Sequence, residues 1–270
     1  MTVNHWVAGS SPAGGAVLLF SKLKSTSFPK SLDISLRFSS IFRSNFHFYL
    51  NFFLFFLISG SFPSFLVASP KEVFPPSVQV PDVYQSEQIL LIIGKPGETQ
   101  GKLHFFSVEG GEWKTILSSI PVWFGKSGLI QKEKKREGDG FTPKGDFPIK
   151  RVLGKGNQSI RNLEYIKIRK NDHWSDVTTS KHYNQFIRQK EKGATPLWNS
   201  AIYELLIVIE HNTNPSIPGF GSMIFLHPWA ETKPTSGCVG IKLTDLESII
   251  QRLDGKKNPY FLLIESEDQI

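Results

Sequence analysis

Beyond residue 88 the apolar residues come in short bursts, several of them alternating with polar ones in the two-residue period of half-buried β-strands. Residues 89–94 (ILLIIG) form the first burst. Residues 102–117 (KLHFFSVEGGEWKTIL) read as two strands around Gly110 and Gly111, a pair suited to a tight hairpin turn. Residues 121–130 continue the β pattern, residues 138–153 (GDGFTPKGDFPIKRVL) read as a turn and then a strand, and residues 163–170 (LEYIKIRK) alternate. Residues 203–212 (YELLIVIEHN), 222–227 (SMIFLH) and 258–265 (NPYFLLIE) complete the set. One helix is well marked. Thr244 stands as its N-cap with Glu247 three residues on, the pattern of a capping box, and Leu246, Ile249, Ile250 and Leu253 form its apolar face up to a stop at Gly255. A weaker helical pattern covers residues 181–190. Residues 171–200 are aromatic and polar without a period, which suggests a long functional, lid-like loop. The expected class is therefore mainly β, with one or two short helices and no internal repeat.

The N-terminal third follows other rules. Residues 46–70 (FHFYLNFFLFFLISGSFPSFLVASP) place a Phe/Leu-rich run after basic residues and before small ones, the order of a secretory signal peptide. The run is shorter than the roughly 20 residues a spanning helix needs, and Gly60 and Pro63 interrupt it. Aromatic excess, Ser-rich flanks and the lack of a polar face argue against a buried core helix. Residues 1–69 are thus expected to be a cleaved signal region or a membrane anchor, residues 70–88 a Pro-rich linker, and residues 89–265 a catalytic-sized domain. The net charge of +7 does not point to nucleic acid. Lys22, Lys24, Lys30, Arg37 and Arg43 face only Asp33 before residue 70, so most of the surplus lies outside the domain, where no basic face is left to follow a polyanion. The mixed cluster at residues 132–137 (KEKKRE) reads as a solvated loop.

Export changes the meaning of the single cysteine, Cys238. It cannot form an internal disulfide in an oxidising compartment, so a reactive thiol or an intermolecular bridge is expected. A thiol attacks carbonyls as the thiolate, and His227, ending an apolar strand pattern, is a candidate base. Ten residues separate the two, enough for the chain to loop back. The small residues Thr235, Ser236 and Gly237 would let a carbonyl approach, with the amides of Gly237 and Cys238 as candidate oxyanion donors and Gly240 keeping the far side open. Against this stands the ordinary fate of a lone cysteine, which is buried and inert. A zinc site from His211, His227 and Cys238 lacks any closely spaced ligand pair, and residues 94–102 (GKPGETQGK) fail the spacing of a phosphate loop.

Three blocks together resemble the L,D-transpeptidase (YkuD-like) catalytic domain. These are FGKSGLI and EGDGFTPKGDFPI within residues 124–149, GSMIFLH at residues 221–227, and PTSGCVGI at residues 234–241. Many members of that family carry S-H-G-C, then a hydrophobic residue and Arg. Here Ser236 takes the His place and Gly240 the Arg place. The resemblance implies a YkuD-like β-sandwich or β-rich fold and a Cys–His site that needs no cofactor and no metal. It implies that Cys238 is the nucleophile acylated by a peptidoglycan stem peptide with loss of D-alanine, and that His227 moves the protons. It also implies a periplasmic or cell-envelope location. Ser236, Tyr183 and Asn184, with Trp198, are candidate substrate contacts. Two other readings stand beside the transpeptidase: a carboxypeptidase or amidase-like hydrolase on the same fold, and a non-catalytic wall-binding protein.

Overall fold

The structure is a computed structural model and describes residues 85–266. The signal or anchor segment and residues 70–84 of the linker lie outside the described residues. Among the described residues the fold is mainly β, as the alternation predicts. The main sheet is formed by β1 (Gln88–Gly94), β2 (Gln100–Glu109), β3 (Glu112–Trp123), β4 (Leu129–Gln131), β5 (Thr142–Pro148), β6 (Arg151–Gly154), β7 (Glu164–Lys167), β11 (Leu205–Val208), β12 (Phe225–Pro228), β13 (Val239–Ile241) and β14 (Tyr260–Glu265). Its strands run in the order β4-β5-β14-β1-β2-β3-β13-β12-β11-β6-β7. β2 and β3 meet at Gly110 and Gly111, both with positive φ (64° and 84°), which gives the hairpin its tight turn.

Both faces of this sheet are covered, which explains the unbroken apolar run in β11. Leu205, Ile207 and Ile209 point to the larger core, shared with Leu90, Leu103, Phe105, Leu226 and Val239, and α1 (Leu243–Ile250) closes it with Leu246, Ile249 and Ile250. Leu206 and Val208 point the other way, into a second core with Leu153, Ile168, Trp174 and Phe225. That second face is roofed by a three-stranded antiparallel sheet of β8 (His173–Ser175), β9 (Gln185–Ile187) and β10 (Thr195–Pro196), in the order β10-β8-β9.

Three local expectations change. Residues 171–200 are a small sheet anchored by the fully buried Trp174, not a lid-like loop. The helical pattern at residues 181–190 becomes β9, because Asn184 takes a left-handed φ of 56° that breaks a helix at its first turn. The helix α1 is real but starts earlier: its N-cap is Lys242, without a side-chain cap, and Thr244 lies inside it. β13 ends at Ile241, so the chain turns into the helix where the sheet ends and not where the best capping residue stands. The helix also closes earlier, at Gln251, and Gly255 opens a separate 3-10 turn, Gly255–Lys257.

Candidate active site

β12 and β13 lie parallel and side by side, with Leu226 opposite Val239 and His227 opposite Gly240. Successive side chains on a strand alternate between faces. Leu226 and Val239 enter the larger core, so His227 and Cys238 share the opposite face, against the second core. Both line one cavity of about 390 Å³ between the main sheet and the roof. The ten-residue loop therefore returns the cysteine to the histidine, as the spacing allowed.

The turn into Cys238 is held by contacts to its backbone. Gly237 has φ of 148°, a region L side chains rarely adopt, and a Cβ there would meet the Phe141 carbonyl at 3.1 Å. Thr142, at the start of β5, is fully buried; its Oγ1 accepts from the Gly125 amide at 2.8 Å and donates to the Gly237 carbonyl at 2.9 Å. Thr235 Oγ1 donates to the Cys238 carbonyl at 2.7 Å and accepts from the Gly237 amide at 3.1 Å. The Gly237 amide is thus engaged inside the protein, which corrects the expectation that it is an open oxyanion donor; the Cys238 amide is the remaining candidate.

The His227 ring is buried, and its Nδ1 lies 2.9 Å from the Pro228 carbonyl. A carbonyl only accepts, so Nδ1 carries the proton and Nε2 keeps a free lone pair. The group that orients the imidazole is this backbone carbonyl. Burial lowers the His227 pKa, against the smaller opposing pull of that hydrogen bond. Burial pushes the Cys238 thiol up to about 11, with the Phe225 amide and the Lys135 charge drawing it back in part. Its Sγ donates to the Met223 carbonyl at 3.1 Å. At rest the cavity therefore holds a neutral thiol and a neutral imidazole.

Other cavity walls come from parts of the chain that the motifs did not mark. Lys135, Glu137, Asp176, Thr195, Tyr203, Met223 and Trp229 all line it. Lys135 overturns the reading of residues 132–137 as a wholly solvated loop. It is 3% exposed, and its Nζ is bonded to Asp139 Oδ1 at 2.5 Å and to the Arg136 carbonyl at 2.6 Å. Burial raises the Tyr203 pKa, and Cys238, once ionised at high pH, and Asp176 add to it, so its hydroxyl stays protonated. Nor does Gly240 leave its far side open. A Cβ on it would lie 2.7 Å from both Cβ and Cγ of Trp229, whose ring stands edge-on to His227 at 5.6 Å between centroids. The tryptophan occupies the space beside Gly240.

The predicted contacts separate. Ser236 is exposed and lines the cavity. Tyr183 and Asn184 are buried and absent from its lining. The Tyr183 hydroxyl donates to Glu137 Oε2, which also accepts from Ser222 Oγ at 2.7 Å. Asn184 Oδ1 accepts from Trp174 Nε1 and the Met223 amide, both at 3.1 Å, and its Nδ2 donates to the carbonyls of His211 and Asn212. Met223 has φ of 54°, and Asn184 holds it there; the carbonyl of Met223 in turn receives the Cys238 thiol. Among the described residues no three His, Cys, Asp or Glu side chains are grouped to hold a metal ion. His211 instead meets the Phe220 carbonyl at 2.8 Å.

Residues 101–259 match the YkuD family, described as the L,D-transpeptidase catalytic domain. The chain belongs to this family. No curated protein matches the chain. Among solved structures it is similar to the helical cell shape determining protein Pgp2 from Campylobacter jejuni, with 14% identity and a TM-score of 0.34, over 68% of this chain and 55% of that chain. The chain thus spans about half the length of that protein.

Proposed function

We propose that this YkuD-family protein is a peptidoglycan L,D-transpeptidase of the cell envelope. The observation that carries the reading is the β12–β13 register, which supports one role each for Cys238 and His227 in a single cavity. As the Cys238 sulfur attacks the carbonyl of the diamino acid in a donor stem, its proton passes to His227 Nε2. The Cys238 amide steadies the oxyanion. The C–N bond to the terminal D-alanine then breaks, His227 returns the proton to the leaving amine, and a thioester remains. An amine of an acceptor stem attacks the thioester, gives its proton to His227, and the Cys238 sulfur leaves to recover it. Every step is a proton or acyl transfer among groups already present.

The test is mass spectrometry of the full-length protein and of Cys238→Ala, each incubated with disaccharide tetrapeptide muropeptides. Crosslinked dimers with free D-alanine, lost in the variant, are expected. Tripeptide without dimers assigns a carboxypeptidase instead. No change in the muropeptides, with Cys238 unlabelled by a thiol-acylating carbapenem, leaves a wall-binding protein.

A further inference from the structure

The cavity holds one polar atom that the protein leaves unsatisfied. Asp176, just after β8 in the roof sheet, lines it opposite the strands that carry Cys238 and His227. Its Oδ2 accepts from Thr195 Oγ1 at 3.0 Å, whereas its Oδ1 is buried and has no hydrogen-bond partner among the described residues. A buried carboxylate oxygen without a donor is rare in folded proteins and calls for a reason. The surroundings sharpen the question. Glu137 also lines the cavity and its negative charge acts on Asp176. Lys135, the lysine in the lining, is committed to Asp139 and the Arg136 carbonyl. The remaining titratable groups facing the space are His227, neutral at rest, Cys238 and the protonated Tyr203. Among the described residues the cavity is thus left with two carboxylates and no cation assigned to them.

We propose that Asp176 receives a primary ammonium group of the peptide substrate in the cavity beside Cys238. An ammonium brings three donors and a positive charge. One donor satisfies Oδ1, and the charge relieves the repulsion between Asp176 and Glu137. A substrate carboxylate would add a third negative charge, and an apolar group would leave Oδ1 unpaired. The proposal rests on the transpeptidase reading for the kind of substrate, a peptide bearing amines. Two amines have this chemistry: that of the acceptor stem, which docks as the ammonium and gives one proton to solvent before it attacks, and the free side-chain amine of the diamino acid in the donor stem.

Two measurements test it. The first follows Asp176 itself, through the carboxyl-carbon titration of the full-length Cys238→Ala protein labelled at aspartate. Burial, with Glu137 adding, holds this carboxyl above the usual range. An ammonium favours the charged form, so saturating tetrapeptide should lower the titration midpoint, and the same peptide with its amine acetylated should not. The second compares wild type with Asp176→Asn for acylation of Cys238 and for partition of the acyl-enzyme between an added acceptor amine and water. If the acceptor amine is the ligand, the variant acylates at the wild-type rate but needs at least tenfold more acceptor to escape hydrolysis. If the donor amine is the ligand, acylation by the native donor slows at least tenfold, and acetylated donor reacts equally slowly with both proteins; Asp176→Glu recovers part of either loss. An unmoved midpoint with every amine-bearing peptide, or unchanged acylation and partition, overturns the proposal. A wild type that is never acylated while the midpoint still falls with free-amine peptides sinks the transpeptidase reading and leaves the ammonium site standing.

Discussion

Thr142→Val is the change that best isolates how the fold holds Cys238. Valine matches threonine closely in shape and replaces the hydroxyl with a methyl group. That hydroxyl serves two buried backbone groups, the Gly125 amide at 2.8 Å and the Gly237 carbonyl at 2.9 Å. Thr142 is fully buried, so water cannot replace it without a rearrangement. Leaving a buried donor or acceptor unpaired costs about 1–3 kcal/mol each, which gives about 2–6 kcal/mol for the variant. A domain of ordinary stability has roughly 5–15 kcal/mol in all, so the loss is large. Thr142→Ser keeps the hydroxyl and gives up one methyl, about 1 kcal/mol. Urea unfolding of the full-length proteins, followed by tryptophan fluorescence, measures both, with an unchanged slope showing that the comparison is sound. Acylation of Cys238 in the folded fraction should fall further than stability alone explains in the valine variant, because Gly237 precedes Cys238 and a displacement of about 1 Å can cost about a hundredfold in rate. A valine variant within about 0.5 kcal/mol of the serine variant would refute the argument that Thr142 bridges the two segments.

Three further outcomes follow from the same geometry. Cys238 in the unliganded protein should react slowly with iodoacetamide at neutral pH. A thiol pushed up to about 11 is protonated below that value, and its rate should keep climbing with pH well past 9 and show no plateau near 7. Asn184→Ala removes the partner of Trp174, Met223, His211 and Asn212 together, so it should cost about 3 kcal/mol or more in urea unfolding and should slow acylation through Met223; a variant that raised only the substrate concentration required, at full stability, would restore Asn184 as a direct contact. Gly240→Ala puts a methyl 2.7 Å from the Trp229 side chain, and the expected loss is about 1–3 kcal/mol with a shift in tryptophan emission; a neutral change would mean that Trp229 moves aside freely.

Much of the fold was written locally. Period-two alternation marks strands wherever one face meets the core, and the Gly110–Gly111 pair marks its hairpin because few other residues accept positive φ twice in succession. The strands of the Cys–His pair were legible too, since an apolar strand ending in His227 and a glycine-flanked Cys238 depend on short segments of chain. Local preference failed where a distant partner decided. Lys242 begins α1 because β13 ends just before it, and residues 185–187, inside the 181–190 stretch, pair as a strand with β8, which carries Trp174 into the second core. The walls of the cavity were invisible for the same reason. Lys135, Asp176 and Trp229 belong to three segments with no shared motif, and only the closing of the roof onto the sheet brings them around one thiol. The sequence by itself thus determined which residues could do the chemistry. The tertiary structure decided which amides were already occupied, which charges were compensated and which carboxylate oxygen was left open, because burial and hydrogen bonding are properties of the neighbours that folding supplies.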